Sequence, residues 1–105
     1  MDLIEVLKGD SLRVNLIFSG SLGPLNLSGY GIRFLASQNY DSPPVVDIIN
    51  TGHDSFESGL SHILITSGES SFCPADYIYS LKLFNLQNNQ YSSFDEGIYR
   101  ISPNL

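Results

Sequence analysis

CPADYIYSLKLF, residues 73–84, is the stretch on which the fold turns. On an extended backbone successive side chains face opposite ways, so Tyr77, Tyr79, Leu81 and Leu83 share one face. Ile78, Ser80, Lys82 and Phe84 share the other. The first face is apolar apart from its two hydroxyls. Two readings compete: a tyrosine pair that binds a ligand, or the core strand of a sandwich. The second carries a mechanism. A tyrosine at the start of a late strand in such domains turns its hydroxyl back onto nearby backbone and ties down the corner. Residues 73–84 therefore read as a core strand with a tyrosine-stabilised entrance.

The same period of two runs through the chain. In SLRVNLIF (residues 11–18) Leu12, Val14, Leu16 and Phe18 fall on one face, with Arg13 and Asn15 opposite. In YGIRFLAS (residues 30–37) Tyr30, Ile32, Phe34 and Ala36 point inward, and Gly31, Arg33 and Leu35 outward. VVDII (residues 45–49) and HILIT (residues 62–66) are shorter runs rich in β-branched residues. Residues 98–102 close the chain, and a short first strand is expected near residues 3–7. GSLGP, DSPP, NTGHD and QNNQ punctuate these runs with turn chemistry. Pro43 and Pro44 cannot both lie inside a central strand, because neither has an amide hydrogen. Helical spacing is nowhere sustained; the best candidate is one turn at residues 67–72, capped by Ser67 or Ser70. Strands joined by short turns, with no helices between them, predict an all-β sandwich or barrel. Residues 1–105 are expected to form one domain.

Composition narrows the functions. The chain has 105 residues and a net charge of -6, and Lys8, Arg13, Arg33, Lys82 and Arg100 are scattered singly. Phosphate backbones and anionic lipid are held by clustered cations, so neither nucleic acid nor membrane is an expected partner. The N-terminal MDLIEVLKGD lacks the apolar run of a signal peptide or membrane span, which points to synthesis in the cytoplasm. With Cys73 the only cysteine, no internal disulfide can form.

No catalytic, cofactor-binding or metal-binding residue is assigned. His53, His62 and Cys73 are the candidate zinc ligands, but their spacing matches no zinc motif, and both histidines read as ordinary exposed residues. The acids of DSFE (residues 54–57) and the pair Asp95–Glu96 lack the opposed, partly buried arrangement of a carboxylate dyad. Asp95 and Glu96 before Gly97 read as a solvated turn. Calcium-loop spacing, GxSxG and phosphate-binding glycine motifs are missing, and SGES (residues 67–70) is no substitute. Cys73 has no cationic neighbour in sequence and reads as a buried or inert thiol. Asn26-Leu27-Ser28 fits a glycosylation acceptor by pattern alone.

Four segments in order carry a family resemblance: LKGDSLRVNLIF (residues 7–18), GPLNLSGYGIRFLAS (23–37), SHILITSGESSFCPADYIYSLKLF (61–84) and FDEGIYRISP (94–103). Together they resemble the small immunoglobulin-like β-sandwich domains of tailed-bacteriophage virion proteins, including the N-terminal domains of baseplate upper proteins. The resemblance leaves residues 38–60 unconstrained. It departs at Asn26, Ser28 and Ala75, where the family often has aspartate, threonine and glycine. It implies an antiparallel sandwich of about seven strands with at most one short helical turn. It implies also a non-enzymatic virion protein, present in several copies on a symmetric particle and bound to other virion proteins. A chain that ends just after its last strand would be an accessory: a tail or baseplate component, an adaptor, or a capsid decoration protein. Sandwich edges invite strand addition by a neighbour, and the N-terminal strand and residues 45–50 are the expected edges. The alternative is a carbohydrate- or cell-surface-binding module of the same fold, with Tyr40, Phe56, Tyr91 and Phe94 as its candidate aromatics.

Overall fold

A computed structural model describes residues 2–103, and every regular element in them is a strand. In chain order these are β1 (Asp2–Leu7), β2 (Leu12–Ile17), β3 (Ser19–Gly20), β4 (Gly23–Pro24), β5 (Tyr30–Ser37), β6 (Val46–Asn50), β7 (Leu60–Ile65), β8 (Ala75–Asn85) and β9 (Tyr91–Ser102). Five of them form one sheet in the order β1-β9-β8-β5-β6. The pair β2-β7 and the small ladder β3-β4 stand apart from it in hydrogen bonding. The molecule is all-β, and its arrangement is compatible with a β-sandwich.

The large sheet is mixed rather than purely antiparallel. β1 runs parallel to β9, with Asp2 opposite Gly97 and Leu7 opposite Ser102, whereas the other neighbours in that sheet are antiparallel. The sheet therefore joins the two ends of the chain. Inward faces follow the alternation of the sequence. Ile32, Phe34 and Ala36 of β5, Tyr77, Tyr79 and Leu81 of β8, and Tyr99 and Ile101 of β9 are buried with Ile63 and Ile65 of β7. Leu12, Val14 and Leu16 of β2 pack against this core while remaining partly open.

Two features depart from simple alternation. Phe84, on the outward face of β8, is buried because Gly31 opposite it has no side chain. A Cβ on Gly31 would lie 2.4 Å from the Phe84 ring. In β9, Leu81 faces Asp95 but Lys82 faces Ser93, so Phe94 is one residue too many: a β-bulge. The bulge reverses the facing of β9. Tyr91 sits opposite outward Phe84, whereas Asp95 sits opposite inward Leu81, and the Phe94 ring reaches Phe18, 4.4 Å away between centroids. Asp95 and Glu96, expected in a turn, thus lie in the middle of a twelve-residue strand.

The expected helical turn is a hydrogen-bonded turn at residues 67–70, with Ser70 N–H donating to Thr66 C=O at 3.2 Å. Neither expected serine caps it by that bond. The Thr66 hydroxyl instead donates to the Glu69 carboxylate. Ser70 is buried and docks the turn: its hydroxyl donates to Asp10 C=O at 2.6 Å, and its own C=O accepts from Gly9 N–H at 3.2 Å.

Candidate functional site

The tyrosine pair of β8 is occupied internally. Tyr77 and Tyr79 are each 2% exposed, so the pair presents no open ring face to solvent. Tyr77 donates its hydroxyl to Cys73 C=O at 2.7 Å, four residues upstream, which is the corner bond the sequence predicts. Tyr79 donates to the Asp95 carboxylate at 2.8 Å, and Tyr99 to Glu69 C=O at 3.1 Å. Phe34 links the rings, stacked on Tyr79 at 5.4 Å and edge-on to Tyr99 at 5.8 Å. Burial pushes the Tyr99 hydroxyl up to about 12, with the charges of Glu69 and Tyr77 adding to it. The Tyr77 hydroxyl is also raised, mainly by burial.

The histidines behave differently from each other and from expectation. His53 is buried, a correction to its reading as an exposed loop residue. Its Nε2 lies 2.7 Å from Tyr30 C=O, an acceptor, so Nε2 carries the proton. Nδ1 then accepts from the Ser61 hydroxyl at 2.8 Å. Ser61 is 1% exposed, so this serine–histidine contact is a core tie with no approach for a substrate. His62 stands on β7 and faces outward, its Nδ1 3.1 Å from the Asp54 carboxylate. Arg13 Nη2 donates to the same carboxylate at 2.8 Å and its Nε to Asn15 at 2.9 Å. Partial desolvation raises Asp54, but the bonds from His62 and Arg13 outweigh it and hold the carboxyl below its usual range. Cys73, in the loop before β8, is exposed rather than buried. Among the described residues no three histidine, cysteine or acidic side chains lie close enough together to hold a metal ion.

The four candidate aromatics do not form one platform. Phe56 sits edge-on to His53, Tyr91 lies against Phe84 and donates nothing to a flat surface, and Phe94 packs on Phe18. Arg33 covers Tyr91, donating to its hydroxyl at 3.1 Å while pairing with Asp47 through two further bonds. That pairing raises Arg33 and lowers Asp47. Tyr40, 73% exposed, borders an open hollow of about 300 Å³ on the outer face of the large sheet, whereas Phe94 lines a different hollow beside β2. Leu35 and Ile78 are among its lining residues, as are Lys82 and Glu96.

The most distinctive opening lies between the sheets. After β1 the chain reverses at Gly9, where φ is +87°, and Asp10 N–H closes the turn on Leu7 C=O at 2.9 Å. β1 and β2 leave this turn into different sheets, and each ends its sheet as an edge strand. Between them is a cleft of about 250 Å³ bordered by Leu3 and Ile4 on one side and Val14, Asn15 and Leu16 on the other. Phe34, Ile63, Tyr79 and Leu81 line it as well, so it reaches the core. A second hollow of about 350 Å³ shares Asn15, Leu16, Leu81 and Asp95 with the first and extends past Ile17 to Phe94. The opposite side of the molecule is tied shut. Asn50 at the end of β6 donates to His62 C=O of β7 at 2.7 Å and to Ser61 at 3.3 Å. The N-terminal strand and β6 are sheet edges, as the sequence suggests. The free edge of β2 is not foreseen, because edge status depends on which sheet a strand joins.

Compared with known proteins, the chain matches no family model and no curated protein.

Proposed function

We propose that the protein is a non-enzymatic structural component of a tailed-bacteriophage virion: a tail or baseplate part, an adaptor or a capsid decoration protein. It acts by binding other virion proteins and is present in several copies. Strand order supports an immunoglobulin-like sandwich. The neighbours β9-β8-β5-β6 correspond to the G-F-C-C′ sheet of that arrangement and β2-β7 to its B–E pair. Tyr77 at the start of β8 supplies the matching corner bond. The observation that carries the functional reading is the cleft flanked by two strand edges, since unpaired amides and carbonyls beside apolar side chains favour a protein partner. Mass spectrometry of purified particles, from the phage that encodes the chain, should find it at several copies per particle. Its absence from intact particles would overturn the proposal.

A second reading, a carbohydrate- or cell-surface-binding module, rests on the hollow beside Tyr40. An exposed tyrosine ring beside hydroxyl and charged groups suits a sugar face. Glycan-array binding that disappears in Tyr40→Ala but survives in Tyr91→Ala would favour it; an array with no binding would remove it.

A further inference from the structure

We propose that the cleft between β1 and β2 is a strand acceptor for an extended segment of a different protein, apolar at alternate positions and carrying lysine or arginine. The segment adds to the free edge of β2 and turns the β2-β7 pair into a three-stranded sheet. This partner assignment rests on the structural reading above.

Three observations lead to it. First, β2-β7 has only two strands, an arrangement that is marginal by itself, and β2 ends it without a neighbour. The six residues of β2 offer an edge of roughly 20 Å at the usual rise per residue. Main-chain bonding along that length suits an extended chain, whereas a helix or a small apolar molecule would leave the edge groups unused. Second, the two hollows share lining residues along β2, so a strand laid there would meet apolar surface on its inward side. Alternate residues of the added strand would contact Val14, Leu16 and Leu81, and the rest would face water.

Third, charge selects the partner. The chain carries -6. Arg13, Arg33 and Arg100 are already paired with Asp54, Asp47 and Asp76. The surplus is therefore acidic, and the cleft has the Asp95 carboxylate, which also accepts from Tyr79, in its lining. A second copy of the chain would set like net charge against like, which is unfavourable for association, whereas a basic segment is attracted.

The test is a titration of the isotope-labelled full chain with three synthetic peptides of about eight residues. One alternates valine and lysine, one alternates valine and glutamate, and one is the lysine peptide with central prolines, which cannot sustain an edge ladder. The lysine peptide should shift the amide resonances of β2 and the methyl resonances of Val14, Leu16 and Leu81, and bind about tenfold or more tightly than the other two. Leu16→Lys should abolish the shifts. If that variant fails to fold, Asn15→Pro, on the same edge, serves as the second variant, and circular dichroism checks both. No binding, equal binding of the acidic peptide, or shifts confined to another face would overturn the proposal. So would concentration-dependent dimerisation through β2 in the absence of peptide, which would assign the cleft to a second copy. A chain found in particles that ignores the lysine peptide would refute the strand acceptor alone, leaving the structural reading intact.

Discussion

Tyr99 shows how a single hydroxyl shapes the response of this core to pH. It is fully buried, donates to Glu69 C=O, and is pushed up to about 12, against an ordinary tyrosine near 10. A group raised in the folded state contributes stability that is complete below its unfolded value and is lost as pH climbs through the folded one. Stability should therefore fall between about pH 10 and pH 12. Urea unfolding across that range should show a shallower decline in Tyr99→Phe than in the parent. At pH 7 the variant should lose about 1 kcal/mol with the hydrogen bond. Gly31 tests packing in place of charge. Gly31→Ala would drive its methyl into Phe84, whose ring is buried, and should cost about 1–3 kcal/mol. Phe84→Leu should be less harmful on the Gly31→Ala background than alone, a coupling that a double-mutant cycle reads.

At the level of strands, legibility in the sequence followed the regularity of the side-chain pattern. β5 was legible to its bounds, because Ile32, Phe34 and Ala36 alternate cleanly with Gly31, Arg33 and Leu35. β8 was nearly so. β9 was legible only from Ile98 onward; its first seven residues are polar or break the period, and the extra residue at Phe94 reverses their facing. A pattern rule with a fixed period of two cannot follow such a reversal. The candidate site was less legible still. That β1 is an edge could be read from its shortness and the breakers that flank it, but the free edge of β2 and the cleft beside it arise from pairings between distant segments. His53 was misread for the same reason, since its partners Tyr30 and Ser61 come from two other strands. The bulge itself can be tested. Deleting Phe94 would restore simple alternation in β9 and keep Tyr91 opposite Phe84, but would remove the ring from Phe18. Stability should fall by about 2 kcal/mol or more, visible as a lower urea midpoint with an unchanged slope.

Across the whole molecule, the pairing pattern sets where stability resides. β8 is bonded on both sides, to β5 and β9, and its inward face carries Tyr77, Tyr79 and Leu81. Its amides can be released only when both ladders and the core beneath them open. β2 is bonded on one side, its inward residues are only partly buried, and the cleft brings the outside close to them. Opening it requires the loss of one ladder, with the five-stranded sheet left in place. Native-state hydrogen exchange should consequently divide the chain. Central amides of β8 and β5 should exchange at the free energy of global unfolding, while β2 amides exchange through smaller openings with weak dependence on denaturant. Occupation of the β2 edge by an added strand would give those amides a second layer of cover and move their protection toward that of β8. Uniform protection over β2, β5 and β8 in the unbound chain would show that the two sheets open only together. The cleft would then be a rigid groove rather than the loose edge of a sheet awaiting its neighbour.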